Sequence, residues 1–260
     1  MIICGATDMN LRLSPLIAAT LALLTPAPAR TQALPSPAGT WAQLITTTAV
    51  SRVPVIGEVT TRTRVYSLVT IEEAAHRLRT NTTNCWVRMD GDVDEVRPII
   101  PSAMVEAMGP RLRDGRWSSK AGELTVTFPA VVDVLGAKLA RPRHDPLPTQ
   151  ASAATVFDED GDGHPGVTIR MIGLIDGEMR VVQRTVNELE GVMTADAETI
   201  IGRVTWSSEQ HVLDATSAFL RASPSSRPHP DPARSHFVMR RVPASLGCDD
   251  LLSDHARLFP

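Results

Sequence analysis

Three carboxylates stand at alternate positions of one short stretch: Asp158, Asp160 and Asp162, interleaved with Glu159 and Gly161 and followed by Gly163. In a tight turn that spacing lets the side chains converge on one hard cation, which takes about six to eight oxygen ligands at about 2.3–2.6 Å. Gly161 and Gly163 supply the backbone freedom that a wrapping loop needs. Without an ion, carboxylates held so close repel one another. The spacing predicts a cation site, and calcium is the expected ion. Magnesium fits less well, because it keeps more waters and demands stricter geometry. The backbone carbonyl of His164 is the next expected ligand. The competing reading is an acidic surface turn that holds no ion.

Counted from Asp158, the stretch resembles the first half of an EF-hand loop. It then departs. The twelfth position, where that loop carries a bidentate Glu, is Ile169, and the ninth is Gly166. Pro165 forbids the exiting helix, and the residues that follow alternate like a strand. The remaining ligands must come from elsewhere, with Asp145, Asp176 and Glu178 as candidates.

No other group of residues spells out a reaction. The seven histidines form neither H-E-x-x-H nor a two-His-one-carboxylate spacing. The serine nucleophile pattern G-x-S-x-G is absent. Glu209 and His211 share one face of an expected strand, but no third group is placed to orient them. No catalytic residue is assigned. Cys85 and Cys248 remain once the N-terminal Cys4 is set aside. In an oxidising compartment such an even pair reads as one disulfide; the alternative is two buried free thiols.

The elements that must position these residues are strands. Period-2 alternation with Thr and Val enrichment marks strands at 40–49, 59–70, 76–81, 84–89, 123–128, 131–135, 166–175, 178–189, 198–206, 212–217 and 236–242. Asp176-Gly177 joins 167–175 to 178–186 as a hairpin. Short helices are expected at 101–108, with Pro101 at its start, and at 251–258. Proline-rich stretches at 140–152 and 223–234 cannot be central strands. The expected fold is all-β: an antiparallel barrel or sandwich of about 8–11 strands with one or two short helices.

Residues 1–33 read as a signal peptide and leader. Arg12 precedes the apolar run 15–24, and Ala27-Pro28-Ala29 or Thr31-Gln32-Ala33 gives the small-x-small cleavage pattern. The run is too short to span about 30 Å of hydrocarbon, so no transmembrane span is expected. Either Met1 or Met9 serves as the start. Residues 34–260 then form a single exported β domain. With 26 basic and 29 acidic residues, a net charge of -3 and aromatics at 4 %, the chain lacks the basic stripe and stacking platforms of nucleic-acid binders.

Gly39-Thr40-Trp41 opens the first strand and resembles the G-x-W of lipocalins and related calycin barrels. That resemblance implies a Trp closing the barrel floor and a late Arg across its ring, for which Arg240 and Arg241 stand ready. It also implies a mid-barrel strand tied to the C-terminal tail by a disulfide, echoed by Cys85 and Cys248. The segments 39–41, 158–168, 182–184, 206–210 and 237–242 together resemble a set of exported bacterial proteins with no assigned activity.

The functional expectation is an exported binding protein for an apolar small molecule or lipid, with calcium stabilising the acidic loop. The alternatives are a calcium-stabilised surface or adhesive protein, and a hydrolase whose residues meet only in the fold. An interior cavity or a filled interior separates the first from the others.

Overall fold

The computed structural model describes residues 1, 35–53, 57–92, 96–120, 122–173, 176–222 and 225–260. The expected leader, with its Met9 start and cleavage sites, lies, Met1 apart, outside the described residues. The fold occupies the unit Leu34–Pro260. Its elements run β1 (Gly39–Val53), β2 (Gly57–Ala74), β3 (Arg77–Gly91), β4 (Val96–Ile99), α1 (Ser102–Ala107), β5 (Arg111–Lys120) and β6 (Glu123–Leu135). There follow β7 (Val167–Gly173), β8 (Gly177–Met193), β9 (Thr199–Ala215), β10 (Ser225–Pro228), β11 (His236–Arg241) and α2 (Cys248–Leu258). The chain is all-β, as expected, with two short helices. Among the described residues no helix is long and apolar enough to cross a membrane.

The strands form one antiparallel sheet that closes on itself. Hydrogen bonds lead from β8 through β6, β5, β3, β2, β1 and β11 to β9, and β9 pairs back with β8. The ring is not a plain up-and-down barrel, because strands change partners part-way along. β9 takes one edge of β8; on the other edge β6 takes residues 183–193 and β7 takes residues 177–181. β1 gives residues 41–46 to β11 and 49–52 to β10. β3 bonds β5 only through residues 77–82, and beyond them α1 and β4 lie beside it.

Alternation sets which side chains enter the ring. From β1, Trp41 joins the core at one end of the ring while Gln43, Ile45, Thr47 and Ala49 line its interior. Ala42 and Leu44 point the other way, into a cluster with Tyr66 and Leu251 of α2. Burying Leu251 completely is worth about 1.5–3 kcal/mol. The largest core cluster, around Trp41, Phe128, Leu189, Phe237 and Met239, fills one end of the ring. A second, under α1, gathers Met104, Leu135, Ile169 and Val181.

Several expected breaks are absent. Residues 77–81 and 84–89 belong to one strand, β3. Its bulge leaves Cys85 without a partner, between the pairs Tyr66–Trp86 and Ser67–Asn84. The extra residue puts Cys85 and Trp86 into the same cluster under α2, since a bulge re-aims side chains. The Cys85–Cys248 disulfide is formed there, with the Cα atoms 5.2 Å apart. β6 is also one strand, with a register shift between Phe128 and Val131 where Pro129 falls. His76 is not in a strand. With Ala75 it forms the two-residue turn between β2 and β3, at φ 65° and 48°.

Candidate functional site

The acidic loop between β6 and β7 is stitched at its base. Phe157 N–H donates to Gly136 O (3.2 Å), Gly166 N–H to Phe157 O (2.9 Å) and Glu159 N–H to Gly166 O (3.1 Å). Asp158 and Gly166 form a parallel bridge. Residues 158–166 therefore make a closed loop whose ends touch.

Within it the three predicted carboxylates converge: an oxygen from each of Asp158, Asp160 and Asp162 lies within 4.8 Å of the others. Backbone and side-chain donors aim them. Asp158 accepts from the N–H groups of Gly161 (2.8 Å), Asp162 (3.2 Å) and Gly163 (2.9 Å). Gly161 and Gly163 take φ of 71° and 87°, left-handed values that cost other residues more. Asp162 accepts from His164 N–H (2.8 Å) and from the Thr168 hydroxyl (2.5 Å). Asp160 Oδ2 accepts from Thr168 N–H (2.8 Å).

Asp160 Oδ1 is different: it is buried and has no hydrogen-bond partner. An orphaned buried acceptor costs about 1–3 kcal/mol, more when charged. Burial raises the pKa of Asp160, and Asp162 and Asp158 add to the rise by repulsion. Asp162 moves the other way. Burial opposes its ionisation, but the Thr168 hydroxyl, His164 N–H, His164 and Arg180 together hold it below the usual range. Glu159 turns from the group and accepts from Gly136 N–H; burial is the main cause of its raised pKa. The donor set is all oxygen and carries three carboxylates, which suits a hard divalent cation.

The other sequence candidates fall elsewhere. His164 is exposed and contributes its N–H to Asp162. Asp145 is clamped by Arg141 through a 2.9 Å ion pair. Glu178 pairs with the buried Arg180 at 3.0 Å, and Asp176 accepts from Gly173 N–H at 2.8 Å. None of these three carboxylates joins the group of three. Glu209 and His211 do approach, at 3.7 Å, but Glu209 also binds Arg184.

A second candidate site lies inside the ring: a cavity of about 940 Å³ lined by residues of β1–β11 and α1. Its apolar lining includes Ile45, Val65, Met89, Met104, Met171 and Trp206; its polar lining includes Gln43, Thr80, Asn84, Arg113, Thr185 and Asn187. Arg113 holds the irregularity in β6. Its guanidinium donates to the carbonyls of Phe128 (2.9 Å), Pro129 (2.8 Å) and Asn187 (2.8 Å) and to Asn187 Oδ1 (2.9 Å).

Sequence reading missed this wall because β5 hides its identity. Arg111, Leu112 and Arg113 all line the cavity, yet Leu112 is 64 % exposed. Half-buried arginines on either side of an exposed leucine reverse the pattern that marks a strand with a buried face. Thr168 was also missed as an organiser of the acidic loop; its place just after the loop was the only signal. No protein-family model matches the chain, and neither a curated protein nor a solved structure is significantly similar to it.

Proposed function

We propose that the chain is an exported binding protein whose ring holds an apolar small molecule or lipid. The cavity of about 940 Å³ carries this reading. It lies in the size range of drug- and lipid-sized sites, about 300–1,000 Å³. Methionines and β-branched side chains on its wall suit a flexible apolar chain, since Met adapts its shape. Export is supported by the apolar run 15–24 after Arg12 and by the Cys85–Cys248 bond, which oxidising compartments favour.

In this reading the acidic loop holds calcium through Asp158, Asp160 and Asp162, with the His164 carbonyl as a further ligand. The unpartnered Asp160 Oδ1 supports an ion. The ion's role is structural: it pins residues 158–166 against β7.

Native mass spectrometry of the protein purified from its own cells without detergent tests the reading. A one-to-one adduct of a few hundred daltons, removable by organic extraction, is the expected result. A bare chain mass that takes up no added alkyl alcohol would remove the proposal.

A further inference from the structure

Four charged residues line the cavity among the described residues: Arg111, Arg113, Asp133 and Glu209. Arg111 pairs with Asp133 at 3.2 Å. Glu209 is taken by Arg184, which is not a lining residue. Arg113 is left with neutral partners alone, namely three backbone carbonyls and the Asn187 amide oxygen. The wall thus carries one positive charge without a carboxylate bonded to it.

Its position adds to the case. Arg111 and Arg113 are alternate residues of β5, so both enter the ring side by side. Asp133 lies on neighbouring β6, opposite Thr185 of β8. With Gln183, Asn187, Ser208 and Gln210 these residues make a polar belt across four strands of the wall. Met104, Met108, Ile169, Met171 and Met179 make an apolar stretch of the lining under α1. Water removed from such a wall leaves charge interactions weakly screened. Burial pushes the Arg113 guanidinium down to about 10, with Asp133 and Glu188 opposing through space.

We infer that the ligand is a monoanionic amphiphile: an apolar chain under α1 and a single negative head against Arg111 and Arg113. The head lies beside the one lining guanidinium that has no carboxylate bonded to it. Arg113 keeps its carbonyl bonds and acts by charge, while Arg111, only part-committed to Asp133, supplies a direct donor. The inference rests on the binding-protein reading above.

Matched titrations at neutral pH with decanoate and decan-1-ol separate the two. Decanoate is expected to bind at least about tenfold more tightly, as charge complementarity in a desolvated pocket predicts. Arg113→Gln removes the bonds that hold the β6 irregularity, so Asp133→Asn is the decisive variant. That change frees Arg111 and adds one net positive charge to the wall. It should tighten decanoate by about threefold or more and leave decan-1-ol within about twofold. Equal affinity for acid and alcohol, or weaker decanoate binding to Asp133→Asn, overturns the anionic head and leaves the apolar cavity reading standing. No binding of either compound overturns both.

Discussion

The Arg241 guanidinium lies over the Trp41 indole, 4.3 Å from the ring centroid. Trp41 is fully buried, and its own N–H donates to Pro37 O at 3.0 Å. Arg241 also donates to the carbonyls of Ala38 (2.7 Å), Ser36 (2.9 Å) and Ala197 (3.0 Å). One side chain thus ties the entry to β1, the β8–β9 turn and β11 together over the filled end of the ring. This is the contact that the G-x-W resemblance implied.

Replacing Arg241 by Met keeps an apolar stem and removes the charge and the donors. Cation–π contacts and charged hydrogen bonds of this kind together predict a loss of about 2–4 kcal/mol. Urea unfolding followed by tryptophan fluorescence reads it. A change below about 0.5 kcal/mol would mean that Arg241 only decorates the closed end.

Gly191 and Gly202 face each other across β8 and β9, and the Phe237 ring lies across both. A methyl group on Gly202 would sit 2.1 Å from Glu190 O and 2.6 Å from the Phe237 ring. Backbone cannot yield that far cheaply. Gly202→Ala should cost about 2–4 kcal/mol, in the upper range of overpacking mutations, read as a lower urea midpoint with unchanged slope. A neutral result would show that β9 can move away from β8.

Calcium should raise the melting temperature, and more so at pH 7 than at pH 4. A carboxylate must ionise to bind the ion. Burial and its neighbours raise the Asp160 pKa in the ion-free fold. Asp160's own contribution to the stability of the ion-free protein therefore falls as pH rises from the ordinary carboxylate range through that raised value. Calcium reverses the sign by favouring the ionised form. At a concentration about a hundredfold above Kd the gain is about 2.7 kcal/mol, several degrees for a domain of this size. Asp160→Asn should remove most of the response while leaving the ion-free protein at least as stable at pH 7. An unaltered calcium response in that variant would contradict the site.

Much of this was legible in the chain because alternation and turn chemistry act locally. The acidic loop could be placed to the residue, since three Asp and two Gly within six positions need no distant partner to converge. Strand continuity was not legible. Residues 82–83 and 129–130 look like breaks, yet they lie within β3 and β6: Thr82 and Thr83 pair in register with Val69 and Leu68 of β2, and pairing with β8 carries β6 across its register shift. The Ala75-His76 turn carries no Gly or Asn; the His76 ring packs tilted against Trp117 with centroids 4.5 Å apart, and the His76 carbonyl accepts the Trp117 backbone N–H at 3.0 Å. The cavity was the least legible feature. It depends on partner exchange among β6, β7 and β4, and on arginines that enter the ring where a sequence pattern puts them outside.

The central claim is that an apolar chain occupies the ring. Trp206 lines the cavity and donates its indole N–H to Ser235 Oγ at 3.0 Å. Fluorescence titration with a fatty chain brominated near its middle reads occupancy at that wall, because bromine quenches only at close range. The account predicts saturable quenching that ends at one equivalent and is largely lost in Trp206→Phe. Quenching that never saturates, or that persists unchanged in Trp206→Phe, would contradict a ligand inside the ring.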